Sequence, residues 1–135
     1  MEKIISSLKN RSKSEVRLNR NSRLFKTIIK AIQDKKGENI VSLDLKKIDE
    51  AVADFFILCE AQSHIQINAI AAHVEDEVRK ECEEKPYHME SGQLWTLVDY
   101  VNIVVHVFQR DERKFYDLEG LWMDAEKMVH EATSA

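Results

Sequence analysis

Five histidines, His64, His73, His88, His106 and His130, are the first candidates for metal or proton chemistry. Metal sites usually draw ligands from local pairs such as HxH, HxxxH or HExxH, and none of these occurs. His64 and His73 are nine positions apart and fall on different faces of a helix. His106 lies within the apolar run IVVHVF, where a neutral core imidazole is expected rather than a general base. Carboxylates are plentiful, but no DxD pair is present to hold magnesium for nucleotidyl transfer, and Asp44 stands alone. Asp117 and Glu119 are two apart at an expected helix start, where acids favour the dipole. Gly37, Gly92 and Gly120 are too few to cradle a phosphate. No GxSxG elbow occurs, and Ser63 has no local group to activate it. The expectation is a chain that is not an enzyme, with no cofactor and no metal.

The aromatic residues have more to say. Trp95, Tyr100, Tyr116 and Trp122 gather around one expected hairpin and the turn that follows it. Trp95, Leu97 and Asp99 lie two apart and share one face of a strand, whereas Tyr100 falls on the other. Both faces cannot enter one core, so one is expected to be open to solvent or a partner, and Trp and Tyr are frequent interface anchors. Phe108, Phe115 and Trp122 are expected to fill the core.

The elements that would position these residues follow from periodicity. Ser22 can cap a helix over 24–36 with Leu24, Ile28, Ile29 and Ile32 on one stripe, and Gly37 can take the left-handed position after it. A short strand is expected over 40–45 and a central, doubly covered strand over 55–59. Ser63 can cap a helix over 65–82. Pro86 breaks the pattern and residues 90–92 read as a turn. Strands over 94–100 and 103–108 form a hairpin turning at 100–102, and 109–114 is a charged loop. A last helix is expected over 117–132 with Leu118, Leu121, Trp122, Ala125, Met128 and Val129 inward. The fold class is α/β (α+β): one mixed sheet of four to five strands flanked by helices.

Charge divides the chain. Residues 1–23 carry seven Lys/Arg against Glu2 and Glu15, a net +5, which leaves −9 for residues 24–135 of a chain whose total is −4. Residues 1–23 are expected to be a basic extension and 24–135 the domain. An acidic body disfavours broad contact with a nucleic-acid backbone and suits a basic protein partner. There is neither an apolar run of membrane-spanning length nor an apolar signal segment at the start. Cys59 and Cys82 lack any CxxC neighbour, which suits reduced thiols in a cytoplasmic setting.

The blocks IVSLDL (40–45), ADFFILCEAQSHIQINAIA (53–71), WTLVDY (95–100), VVHVF (104–108) and RKFYDLEGLWMDA (113–125) together resemble the ribosomal silencing factor, or Iojap-related, family. The resemblance implies a nucleotidyltransferase-like fold without catalytic residues. It implies an anti-association factor that binds ribosomal protein L-fourteen on the large ribosomal subunit and bars the small subunit, repressing translation when nutrients are scarce. Alternatives are a role in large-subunit assembly or a nucleotide-binding enzyme on the same fold. By the same resemblance the partner surface would comprise Trp95, Leu97, Asp99 and Tyr100, with Tyr116, Leu118 and Glu119 nearby. Asp99 and Glu119 would pair with partner cations around an apolar centre. Residues 1–23 could add a ribosomal RNA contact, and off the ribosome a monomer or weak homodimer is expected. Where the family has Asp-Tyr-Gly-Asp at the hairpin turn, this chain has Asp99-Tyr100-Val101-Asn102. A β-branched residue disfavours positive φ, so the turn is expected to differ or to shift onto Asn102.

Overall fold

The computed structural model describes residues 19, 20, 22–49 and 51–131. The expectations for residues 1–18, an RNA contact included, lie outside the described residues. Helix α1 spans Arg23–Asp34, strand β1 Glu38–Asp44, β2 Phe55–Ala61, helix α2 His64–Cys82, β3 His88–Glu90, β4 Trp95–Asp99 and β5 Ile103–Gln109. Two short helices, α3 (Arg110–Tyr116) and α4 (Leu118–Leu121), lead into β6 (Glu126–His130).

The strands form one six-stranded mixed sheet in the order β3-β4-β5-β2-β1-β6, against an expectation of four to five. Only β2 and β5 run parallel; every other neighbouring pair is antiparallel. β2 is buried along its whole length, as an apolar run without alternation requires of a strand covered on both faces. One face packs α1 and α2 against Phe55, Ile57, Cys59, Val98, Tyr100, Val105 and Val107. The other face gathers Val41, Leu43, Phe56, Leu58, Trp95, Leu97, Val104 and Phe108 beneath the 45–53 connection and the α3–α4 segment.

Local chemistry explains the helix ends. Ser22 Oγ accepts the Phe25 N–H (3.2 Å) and Ser63 Oγ the Gln66 N–H (3.2 Å), each satisfying an orphan donor of a first turn. After α1 the left-handed position falls on Lys36 (φ 62°), not on Gly37. Gly37 is required for a different reason: a Cβ there would run into the Ile32 side chain. Arg20 packs on the body, 3.6 Å from Glu126 and over the Phe55 ring at 5.6 Å.

Three expectations are corrected. Residues 109–114, expected as a charged loop, instead supply the cap Gln109 and most of α3. Gln109 Oε1 accepts the Asp111 and Glu112 N–H groups, acids open the helix and Arg113 and Lys114 close it, as its dipole favours. The helix expected over 117–132 is instead α4 followed by β6. Asp117 takes φ 42° and caps Gly120 N–H through Oδ1 (3.1 Å), and β6 then pairs antiparallel with β1, whose edge would otherwise lack a partner. Glu90, expected in a turn over 90–92, instead ends the short edge strand β3, whose residues 88–90 pair with β4.

The hairpin turn also departs from expectation. Val101 itself takes φ 73°, and the Asn102 N–H donates to Tyr100 O at 2.9 Å, a three-residue γ-turn closed around a β-branched residue. Asp99 Oδ1 accepts the Val101 N–H (2.8 Å), and Asn102 ties the turn to the start of β2 through Asp54 (3.0 Å).

Candidate docking surface

The open strand face expected at the hairpin is absent. Trp95, Leu97, Asp99 and Tyr100 are all buried, because the sheet is covered on both sides. Strand alternation sends Trp95 and Leu97 into one layer and Tyr100 into the other. Asp99 is held by its own turn rather than presented to a partner. Burial, reinforced by the Glu75 and Glu84 carboxylates, pushes the Tyr100 phenol up.

Trp95 is the centre of its layer. Its indole N–H donates to His106 Nδ1 at 3.1 Å, and its ring lies 4.6 Å from Phe108 and 5.4 Å from Tyr116. Burial pushes the His106 imidazolium down to about 3, so the ring is neutral and accepts this bond, as the sequence suggested for a core histidine. Cys59, also fully buried, has its thiol pushed up to about 12 by desolvation, which leaves it unreactive.

Three of the exposed large apolar groups lie just beyond, on the corner formed by α3, α4 and the turn into β6; others, such as Ile65 and Tyr87, stand elsewhere on the surface. Phe115 is 78% exposed, Leu121 68% and Met123 80%. Phe115 was expected in the core; it lies outside and stacks edge-on against Tyr116 at 5.0 Å. Trp122 is half-buried, 6.0 Å from Phe56. Among the sequence-predicted residues, Tyr116 and Leu118 pack with Trp95 and Leu97 in one cluster, so the structure joins these four and leaves Asp99 and Tyr100 apart.

A charge network clamps the corner. The buried Arg113 donates from Nη1 to Asn39 O (2.6 Å) and Glu60 Oε1 (3.1 Å), and from Nε to Glu119 Oε1 (3.0 Å). Arg110 donates to the second Glu60 oxygen (3.1 Å) and to Glu38 (2.6 Å), and Lys127 to the second Glu119 oxygen (3.1 Å). Burial works against the Glu119 charge, but the hydrogen bonds from Arg113 and Lys127 outweigh it and hold the carboxyl below its usual range. Glu119, expected to reach for a partner cation, is thus engaged within its own chain. Nothing in local spacing reveals this network, because its members come from β1, β2, α3, α4 and β6.

These features define an α+β domain with a single sealed sheet and an ion-clamped apolar corner at one end. No helix among the described residues is long and apolar enough to cross a membrane. The family model described as "Ribosomal silencing factor during starvation" matches residues 19–135, and the chain belongs to that family. It is 39% identical over 110 residues to ribosomal silencing factor RsfS of Halalkalibacterium halodurans, covering 78% of this chain and 90% of the relative. To RsfS of Bacillus subtilis it is 39% identical over 103 residues, covering 76% and 86%. A crystal structure of a Chromobacterium violaceum protein superposes with a TM-score of 0.69 at 30% identity, covering 82% of this chain and 93% of the other.

Proposed function

We propose that this chain is a ribosomal silencing factor that docks on ribosomal protein L-fourteen of the large subunit and bars the small subunit from joining, which lowers translation under nutrient limitation. The observation that carries the reading is the corner: Phe115, Leu121 and Met123 stand exposed on a segment held rigid by the Arg113–Glu60–Glu119 network. Three exposed apolar side chains on a clamped scaffold are costly to leave in water, and a partner that covers them binds without first ordering the surface. The net −9 of residues 24–135 favours encounter with a basic protein.

In this reading Tyr116, Leu118 and Glu119 form the floor of the docking surface. Trp95 and Leu97 support it from beneath, and Asp99 and Tyr100 fix the hairpin on which it rests. Co-sedimentation of the purified chain with isolated subunits, followed by a joining assay on a sucrose gradient, tests it. The expected result is binding to the large subunit alone with loss of the joined peak. Binding that leaves joining intact redirects the reading to large-subunit assembly, and no binding ends it.

A further inference from the structure

A second cluster lies far from the corner in the chain, on the seam between α1 and α2. Asp34 is the last residue of α1; His73 and Glu77 are four apart on α2 and so share one helical face. Their ligand atoms all lie within 4.8 Å of one another, and His73 Nε2 is 3.1 Å from Asp34 Oδ2. Glu77 makes no hydrogen bond or ion pair with another described residue, whereas the neighbouring Asp76 is taken by Arg79 and Lys80. Lys30 approaches the other Asp34 oxygen, at 3.5 Å, and leaves Oδ2 toward His73.

We propose that Asp34, His73 and Glu77 form a binding site for a divalent transition-metal ion of the zinc class, which bridges the two helices. An ion about 2.1 Å from each donor needs donors about 3.0–3.4 Å apart, and the Asp34–His73 pair already meets this. Only the Glu77 side chain has to swing in. One imidazole and two carboxylates suit zinc, with water completing the shell, and do not suit magnesium. The seam is rigid: Ile28, Ala31 and Ile32 of α1 pack on Ile67, Ile70, Ala71 and Val74 of α2. The last turn of α1 also places the negative end of a helix dipole beside the site.

Sequence spacing hides the site because Asp34 lies 39 positions from His73. The test is calorimetric titration of the untagged full chain with zinc chloride at about pH 7.5. One saturable site of micromolar affinity is expected, with no heat from magnesium. Asp34→Asn and His73→Ala should each weaken it by at least roughly tenfold while leaving the circular dichroism spectrum unchanged. No saturable heat with zinc, or binding that survives His73→Ala, overturns the proposal. Because the site lies outside the docking corner, either outcome is independent of ribosome binding.

Discussion

Trp95 decides between a docking anchor and a core residue, and the structure makes it core. Its side chain is 1% exposed, packs on Phe108 and Tyr116, and donates the indole N–H to His106 Nδ1. Trp95→Ala removes a buried aromatic, at a cost of about 3–5 kcal/mol. It also strips the buried His106 of its donor, which costs about 1–3 kcal/mol more unless water enters. A domain stable by about 5–15 kcal/mol would lose much of that margin, and the combined loss of about 4–8 kcal/mol would lower its midpoint by about 16–32 °C. Trp95→Phe isolates the polar part: the ring is largely kept and only about 1–3 kcal/mol is expected. Urea unfolding followed by far-ultraviolet circular dichroism measures both. A Trp95→Ala protein within about 1 kcal/mol of wild type would refute the buried position and restore the open strand face.

Other perturbations have defined signs. Val101→Gly relieves a β-branched residue at φ 73°; the strain, about 1–3 kcal/mol, exceeds the entropic cost of glycine, about 0.5–1 kcal/mol, so thermal denaturation should show a gain of about 1 kcal/mol, and a lower midpoint would contradict the turn. His106 binds its proton at about 3 when folded and near 6.5 when unfolded, so only the unfolded chain is protonated as pH falls below 6.5. Stability from this group is complete above pH 6.5 and should fall by about 2 kcal/mol at pH 5. His106→Gln, compared with wild type by urea denaturation at both pH values, should lose that part of the fall; an unchanged pH slope would show that other groups cause it. Arg113→Ala leaves the buried Glu60 with Arg110 alone and Glu119 with Lys127 alone, so equilibrium unfolding should register a loss of about 3 kcal/mol; a loss below about 0.5 kcal/mol would mean that the network is only a surface feature.

What the sequence revealed was local. The run 55–59 signals a covered strand by composition, the 94–108 hairpin by two β-rich runs around a short turn, and Ser22 and Ser63 by cap chemistry that needs no tertiary partner. The C-terminal third misled for a physical reason. Leu118, Leu121, Trp122, Ala125, Met128 and Val129 fit a helical stripe, yet the open edge of β1, many residues away in sequence, claims 126–130 as a strand. The signal for α3 is local as well: acids at 111–112 and bases at 113–114 follow a capping Gln109. For the candidate site, the motif around 113–125 brought out Tyr116, Leu118 and Glu119. The alternation of β4 correctly separated Trp95 from Tyr100. It could not tell that both faces are covered, because that depends on α1 and α2 on one side and α3 and α4 on the other. Phe115 shows the same limit in reverse, since an aromatic at a helix end is inside or outside according to what the helix packs upon.

The most direct measurement is the affinity of the large ribosomal subunit for the Phe115→Ser, Met123→Ser double variant beside wild type, each first shown to be folded by circular dichroism. Both side chains are exposed, so the fold should be intact, and a docking corner predicts that binding weakens by at least roughly a hundredfold, or about 2.7 kcal/mol. Unchanged affinity in the folded double variant would contradict the corner as the docking surface.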